Sequence, residues 1–578
     1  MRTADWARIG LWVGSPEAQS QAVCSTCPGY VREILAHAGI FFTELPREQL
    51  GSGAFTNTIL LFVANVALSE QEQAQVRAHL EAGGAAIFLT HHSGATELLG
   101  VEPDSPGQFA WGSGFVPLGE GYLVPDADDT DPLTGDMLPG LLHYFGGTAV
   151  RANTAQVLAG GNDSLGEFDS RPLITEHRVG KGLALFIAPD LPGTVALIQQ
   201  GTYVETDRPS APDGSINTTD GILKADDGVV LDYALDRDAH DGESMRCYTT
   251  PVADRWREIL IRAILYAAQT CGLPLPVLWY YPRNLPALAM LSFDSDGNNR
   301  VLAETLLANC RRLGIRATWS ILEPGYNDEF MRKLIEAGME VGLHYNALNP
   351  SDEQPWSRAA FERQLNLLRS RIGGLPCHSN KNHYTRWEGR LEFFRWCAEL
   401  GVLYDESRGP SKTGEVGFLF GSCHPWFPME SNGERIPVME ISFLTQDLVV
   451  TLPASFARHL AAWVAKVYGV AHLLFHPVHC TKPGVYEAMA DFLHHARSLG
   501  MELWTDAEIY AWETARRGVS LTSQTNGFSL STQTPLKDAT VLTLTAGNGA
   551  VERYGFAFDV RQLDLDHEQP KVIEFNKL

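Results

Sequence analysis

The stretch LSFDSDGNNR, residues 291–300, ends an apolar run with two carboxylates in a turn. The preceding ALAM indicates a buried strand. A plain turn is one interpretation, because Asp, Asn and Gly bend a chain at low cost. The other interpretation is a site in which one carboxylate holds a metal ion and the other handles a proton. Asp294 and Asp296 are two residues apart, and alternate residues of an extended segment face the same side. The spacing therefore predicts that both side chains enter one cavity.

Length, composition and charge limit the classes of protein and partner. The 578 residues exceed one hydrophobic core, so we expect roughly two to four domains. The formal net charge of -24 disfavours nucleic acid and anionic lipid as partners. No apolar run reaches about 18 residues, so we expect no membrane span. No signal peptide is visible at the start, which predicts a cytoplasmic protein, with export by another route left open. The nine cysteines form no disulfide framework.

Residues 284–518 alternate regularly between strand and helix patterns. Helices are predicted at 356–372, 454–468, 485–499 and 506–517. The predicted strands are ALAMLSF, RATWSIL, MEVGLHYN, LPCHSN, VLYDES, VMEISFLTQD, VAHLLFHP and MELWT. About seven strand–helix units in one direction predict an α/β fold, a closed or nearly closed (β/α)7-type barrel. In such barrels the chemistry lies at the C-terminal ends of the strands.

The flanking regions have different patterns. Residues 1–280 begin with strand–helix alternation, which predicts a parallel α/β accessory domain. The later part of this region is predicted to be loop-rich, with a long acidic excursion at 205–245. Residues 519–578 are rich in Thr, Ser and Val and predict a small β-sandwich-like tail without chemistry.

Ionisable residues follow one predicted strand after another, and packing alone does not explain them. Aspartate and histidine without a cysteine cluster suit Zn²⁺ or a similar divalent ion with an open coordination position. Such an ion lowers the pKa of bound water to about 7 and polarises a carbonyl. The chemistry also needs a base near the water and an acid at the leaving group. The strand-end residues are Asp294, Asp296, His344, His378, His383, Asp405, Asp447, His476 and His479.

Several of these residues lie in four short segments that follow one another in the order SFDSDG, EVGLHYN, KNHYTRW and LLFHP. In sequence and order these segments resemble the signature motifs of polysaccharide deacetylases with the NodB-type fold, the carbohydrate esterase 4-like family. The resemblance covers residues 284–518. It implies that Asp294 is the catalytic base and that Asp296 and His344 are metal ligands. The second histidine of the family's motif corresponds to Leu348, which cannot ligate a metal.

The segment KNHY offers a replacement for the missing ligand. His383 stands where the family has a proline, so we predict Asp296, His344 and His383 as the metal triad. His378 is the alternative to His383.

The resemblance also implies the remaining roles. Lys381 stands at the position of the family's arginine, and the backbone N–H of Tyr384 would help to hold the oxyanion. His476 would protonate the leaving group, and His479 is the less favoured choice. The predicted substrate-binding residues, whose rings could stack on sugars or pack at the rim, are Tyr345, Trp387 and Trp426, together with Lys381.

These assignments predict a metal-dependent hydrolase that removes acetyl groups, most often N-acetyl, from an aminosugar-containing carbohydrate. Zinc is the expected ion and a carbohydrate is the expected partner. One alternative is an inactive protein that binds carbohydrate or acts as a scaffold. Another is a metal-dependent amidase that acts on a small C–N substrate.

The region before residue 280 resembles a flavodoxin-like or glutamine-amidotransferase-like domain. Enzymes of that class carry a nucleophilic cysteine in a tight turn after a central strand. The comparable turn here contains Thr90, His91 and His92 but no cysteine, so we expect that activity to be absent. Cys24 and Cys27 have C-x-x-C spacing, but no second pair exists to complete a zinc site.

Overall fold

The computed structural model describes residues 6–13, 27–54, 56–63, 67–90, 94–104, 116–125, 131–215, 219–239, 246–412, 414–524, 527–545, 547, 549–567 and 570–574. Cys24, His91 and His92 lie outside these residues, as does part of the acidic excursion. Within the described part of the chain, no helix is both long and apolar enough to cross a membrane.

The region before residue 280 contains a nine-stranded sheet, and further strands of this region lie outside that sheet. Its helices are Tyr30–Ala38 (α1), Arg47–Ser52 (α2), Glu70–Glu81 (α3), Thr96–Leu99 (α4), Leu191–Gln200 (α5) and Val252–Thr270 (α6). Its strands are Ile9–Val13 (β1), Phe42–Glu44 (β2), Ile59–Val63 (β3), Ala85–Leu89 (β4), Val101–Pro103 (β5), Val116–Pro117 (β6), Glu120–Leu123 (β7), Leu142–Phe145 (β8), Thr148–Ala152 (β9), Gln156–Asp163 (β10), Phe168–Val179 (β11), Gly182–Ile187 (β12), Asp238–Ala239 (β13), Arg246–Cys247 (β14) and Pro276–Leu278 (β15).

This sheet is parallel in one half and antiparallel in the other. Its order is β2-β1-β3-β4-β12-β11-β10-β7-β8, and the strands from β2 to β12 are parallel. β3 and β4 are buried along their whole length, as expected for central parallel strands covered on both faces. From β12 to β8 the pairs are antiparallel. The prediction of a loop-rich second half was wrong for residues 142–187, because β10 and β11 mix exposed polar residues with buried ones and so lack a continuous apolar run.

Residues 288–503 form the second sheet, in which every strand pair is parallel. Its strands are Leu288–Asp294 (β16), Thr318–Leu322 (β17), Glu340–Tyr345 (β18), Ser379–Asn382 (β19), Tyr404–Asp405 (β20), Met439–Glu440 (β21), Thr445–Gln446 (β22), Val470–Phe475 (β23) and Glu502–Leu503 (β24). The helices of this region are Arg300–Leu313 (α7), Asp328–Glu336 (α8), Arg358–Arg371 (α9), Glu392–Leu400 (α10), Phe456–Val467 (α11), Val485–Ser498 (α12) and Asp506–Arg517 (α13).

One chain segment touches both edges of this sheet, whose order is β21-β20-β19-β18-β17-β16-β23-β22. The segment begins as β21 beside β20 and ends as β22 beside β23. Between these strands, Ile441 N–H donates to the Asp405 carbonyl (3.0 Å) and Leu444 N–H donates to the His472 carbonyl (2.9 Å). The predicted single strand VMEISFLTQD is therefore interrupted where it passes from one edge to the other. The curled parallel sheet confirms the predicted α/β strand–helix architecture.

The C-terminal region is antiparallel, as its alternating pattern predicted. Its strands are Ser520–Gln524 (β25), Gly527–Ser531 (β26), Leu536–Leu544 (β27), Val551–Arg553 (β28), Phe556–Leu565 (β29) and Lys571–Glu574 (β30). They form the sheets β15-β27-β29-β28 and β25-β26-β30. The first sheet thus recruits β15 from the proline-rich segment that precedes the parallel sheet.

We predict that Leu291→Ala lowers the free energy of unfolding by about 2–5 kcal/mol. Leu291 is fully buried in β16, which pairs with both β17 and β23. Val301→Ala, at a side chain that is 71% exposed, is the matched control and should change stability by less than about 0.5 kcal/mol. Denaturant titrations of both variants measure the difference. Equal effects would contradict the placement of β16 in the core.

Candidate metal centre and active site

Eight aspartate, histidine and lysine side chains meet at one edge of the parallel sheet. Because parallel strands end on the same side, residues that follow different strands lie close together there. A cavity of about 260 Å³ opens at this edge. The aspartate, histidine and lysine residues that line it are Asp294, Asp296, His344, Lys381, His383, Asp447, His476 and His479.

Asp296, His344 and His383 form a compact group of metal-ligand type. One ligand atom from each lies within 4.8 Å of the others. The Asp296 Oδ1 atom is 3.3 Å from His344 Nε2 and 3.6 Å from His383 Nε2. These are the three residues that the sequence predicted as the triad, and the structure brings them together.

The hydrogen bonds behind the two imidazoles orient them toward Asp296. His344 Nδ1 donates to the Lys381 carbonyl at 2.9 Å, which leaves Nε2 as the acceptor nitrogen of the neutral ring. His383 Nδ1 lies 3.4 Å from Asn346 Oδ1. Among the described residues, His344 Nε2 and Asp296 Oδ1 are buried without a hydrogen-bond partner. Two acceptors that face each other in this way fit a cation between them.

The aspartates and histidines of this group shift the pKa of one another. Burial alone would raise the pKa of Asp296, but His344 and His383 outweigh it and hold that pKa well below its usual range. Burial would likewise lower the pKa of His344, but Asp294 and Asp296 raise it. The group therefore attracts positive charge, and a bound cation would take the place of the imidazole protons.

Asp294 lies beside the triad and is 3% exposed. Its Oδ2 atom is 3.7 Å from His344 Nε2, and its Oδ1 atom is 3.6 Å from the Lys381 ammonium. The Lys381 ammonium also forms an ion pair with Glu406 Oε2 (2.8 Å) and donates to the Ser292 hydroxyl (2.5 Å). Lys381 was predicted to bind substrate. The structure places its ammonium at the floor of the cavity, next to Asp294 and the buried Glu406.

His476 follows β23, the strand that pairs with β16, and is held by Asp447. Asp447 Oδ2 lies 2.6 Å from His476 Nδ1, and Asp447 Oδ1 accepts the His476 backbone N–H at 2.8 Å. Burial opposes protonation of this ring, but Asp447 outweighs burial and raises the pKa of His476 to about 9. The other nitrogen, Nε2, is 3.8 Å from Asp296 Oδ2. A protonated His476 is thus available beside the triad. Asp447 was recognised in the sequence as a strand-end residue, but no role was assigned to it.

Tyr384 follows His383 directly and also lines the cavity. Its backbone has φ of 59° and ψ of 22°, and the next residue, Thr385, has φ of 50°. Left-handed backbone at non-glycine residues is strained and concentrates at functional sites. The Tyr384 side chain is 54% exposed at the mouth of the cavity.

The structure places the three aromatic residues that were predicted to bind substrate away from the cavity. Tyr345, Trp387 and Trp426 are each at most 1% exposed and contact core rings instead, including Phe393 and Phe394. A sugar cannot stack on rings that are buried in this way. The rings beside the cavity are those of Tyr384 and Phe443, and no sequence pattern singled out Phe443.

His378 lies before β19 and not after it, because the strand begins four residues later than the pattern LPCHSN predicted. Its Nδ1 atom bonds to the Gly401 carbonyl at 2.9 Å. His383 therefore belongs to the ligand group and His378 does not. His479 lines the cavity, with Nε2 3.8 Å from Asp447 Oδ2.

Comparisons with known proteins give structural similarity only. No protein-family model and no curated protein sequence matches the chain. A candidate polysaccharide deacetylase from Mycobacterium smegmatis is 18% identical over 43% of this chain and 98% of that chain, with a TM-score of 0.31. Puue allantoinase is 14% identical over 40% and 92%, with a TM-score of 0.32. A CE4-family pseudoenzyme mutant with restored activity is 14% identical over 40% and 69%, with a TM-score of 0.25. These scores are too low to decide the activity of this chain.

We predict that His383→Ala weakens Zn²⁺ binding by at least roughly 100-fold, since loss of a ligand costs more than the 10–100-fold loss typical of outer-shell changes. Competition with a chromophoric chelator measures the affinity. His378→Ala removes a histidine from the same segment and should bind zinc like the parent protein. The reverse pattern would assign the third ligand to His378.

Proposed function

We propose that this chain is a metal-dependent hydrolase that removes acetyl groups, chiefly N-acetyl, from an aminosugar-containing carbohydrate. The observation that carries the proposal is that Asp294 and His476 both lie within 4 Å of the Asp296, His344 and His383 group, Asp294 beside His344 (3.7 Å) and His476 beside Asp296 (3.8 Å). The motif resemblance to polysaccharide deacetylases supports the same activity. Zinc is the proposed ion, because the donors are two imidazoles and one carboxylate.

The bound ion would supply Lewis-acid polarisation of water and of the acetyl carbonyl. Asp294 is placed to accept a proton from the attacking water, and its Oδ1 atom lies 3.6 Å from the Lys381 ammonium. Water adds to the acetyl carbon and the carbon–nitrogen bond breaks. The products are acetate and a free amine.

His476 supplies the proton that the departing nitrogen needs. Asp447 holds its Nδ1 side, so the second proton of the imidazolium lies on Nε2 toward the triad. The backbone N–H of Tyr384 is proposed to donate to the negative oxygen as the amide is attacked. Acid and base thus both reach the same cavity from the ends of two paired strands, β16 and β23.

The activity is tested by acetate release from N-acetylated chito-oligosaccharides. Purified protein should release acetate, lose that activity after dialysis against a strong chelator, and regain it when Zn²⁺ is added. Absence of release by the zinc-loaded protein, with sugar binding retained, would favour the inactive carbohydrate-binding alternative. Release of product only from small linear or cyclic amides would favour the amidase.

Asp294→Asn and His476→Ala are each expected to lower kcat by about 10²–10⁴-fold, the usual contribution of general acid–base catalysis. Zinc content should remain near that of the parent protein, because neither residue belongs to the ligand triad. His378→Ala is the control and should keep its activity. Parent-like turnover by either site variant would remove that residue from the mechanism.

A further inference from the structure

The cavity at the candidate site is small. Two of its walls are held by hydrogen bonds to residues 204–226, which precede the parallel sheet in the chain. Its volume of about 260 Å³ is below the roughly 300–1,000 Å³ of pockets that enclose drug-sized ligands. One aminosugar ring with its acetamido group suits such a space, whereas an extended oligosaccharide requires an open groove. The size of the substrate then depends on whether the walls can move apart.

The first wall is formed by His383, Tyr384 and Thr385. The residues that follow it, 386–389, are held by Val204, which directly precedes the acidic excursion, and by Leu223 within it. Val204 and Gly389 exchange two backbone hydrogen bonds of 2.9 Å each. The Leu223 carbonyl accepts from Trp387 N–H (3.1 Å) and from the Arg386 guanidinium (3.1 Å). The turn that carries the third ligand candidate is therefore tied to residues 204 and 223.

The second wall contains Ser411, which lines the cavity. The Ser411 hydroxyl donates to Asp226 Oδ2 at 2.6 Å. The next residue, Lys412, donates to Asp227 Oδ1 at 3.2 Å. Asp226 is fully buried, so this contact lies within the packed interior. The same excursion thus fixes a second side of the cavity.

The opposite wall is a tight loop that is closed by its own hydrogen bonds. Val449 N–H donates to the Leu452 carbonyl at 2.7 Å, and Val450 N–H donates to the Asp447 carbonyl at 2.9 Å. The loop also carries the Asp447 carboxylate that holds His476. Opening this side would therefore disturb the proton donor.

We propose that the acidic excursion restricts the site to one N-acetylated sugar unit, so that the substrate is a monosaccharide-sized or chain-terminal acetamide and not an internal unit of a polymer. This inference rests on the proposed deacetylase function. Asp226 acts through Ser411 and is a positioning residue, because it does not itself line the cavity.

The test uses the zinc-loaded full-length protein with N-acetylglucosamine and its β-1,4-linked dimer, tetramer and hexamer. The inference predicts kcat/KM values that do not rise with chain length, and mass spectra that show acetate lost only from a terminal unit. A kcat/KM that rises with length, with internal units deacetylated, would overturn it. No acetate from any member would overturn the deacetylase function itself, which distinguishes the two failures.

Variants of the excursion test the role of the clamp. Asp226→Ala should raise the ratio of hexamer to monomer kcat/KM by about 10-fold or more, with zinc content unchanged; Asp226→Asn is the milder variant if Asp226→Ala does not fold. The matched control is Asp213→Ala, which removes another aspartate of the excursion, one bonded to Ser215 and Arg237. Its ratio should match that of the parent protein. An unchanged ratio in a folded Asp226 variant would contradict the clamp.

Discussion

Two carboxylates at the end of one buried strand set the main constraint on this structure. Asp294 and Asp296 line the same cavity, and two carboxylates in one cavity repel each other unless positive charge compensates them. Lys381 stands against one of them, and His344 and His383 stand against the other. Lys381 is in turn neutralised by the buried Glu406. The place that still favours a positive charge is therefore the point where the ligand-type atoms of Asp296, His344 and His383 meet.

The pairing of neighbouring strands explains how His383 reaches the position proposed for the ligand that Leu348 cannot supply. β18 and β19 are adjacent and parallel, with His344 opposite Lys381 in register. His383 lies two residues after Lys381. Because neighbouring strands are only about 4.8 Å apart, His383 lies close to His344. The two rings are 5.0 Å apart between centroids. A side chain from the next strand end therefore completes the candidate triad without a change in the sheet.

The region before residue 280 contributes to the site although none of the residues that the structure describes there lines the cavity. The excursion holds the segments after β19 and around Ser411 by backbone and side-chain hydrogen bonds. Catalytic loops need rigid support if their side chains are to keep productive geometry. An accessory region of this kind determines the shape of the cavity, while the strand ends determine its chemistry.

Several features could be predicted from the sequence because they depend on local pattern. The apolar runs and helix periods predicted the strand–helix order, and the polar residues after each strand predicted Asp294, Asp296, His344, His383 and His476 around one cavity. Strand ends in a parallel sheet share an edge whatever the details of packing, so residue type and position were sufficient.

Other features were decided by the tertiary structure alone. Tyr345, Trp387 and Trp426 lie near the motifs in sequence, but whether an aromatic ring faces solvent or core depends on which elements pack over it. The partnership of His476 with Asp447, 29 residues apart, and that of Ser411 with Asp226, 185 residues apart, require the fold. Sequence pattern records the period of a segment, whereas such contacts depend on how distant segments meet.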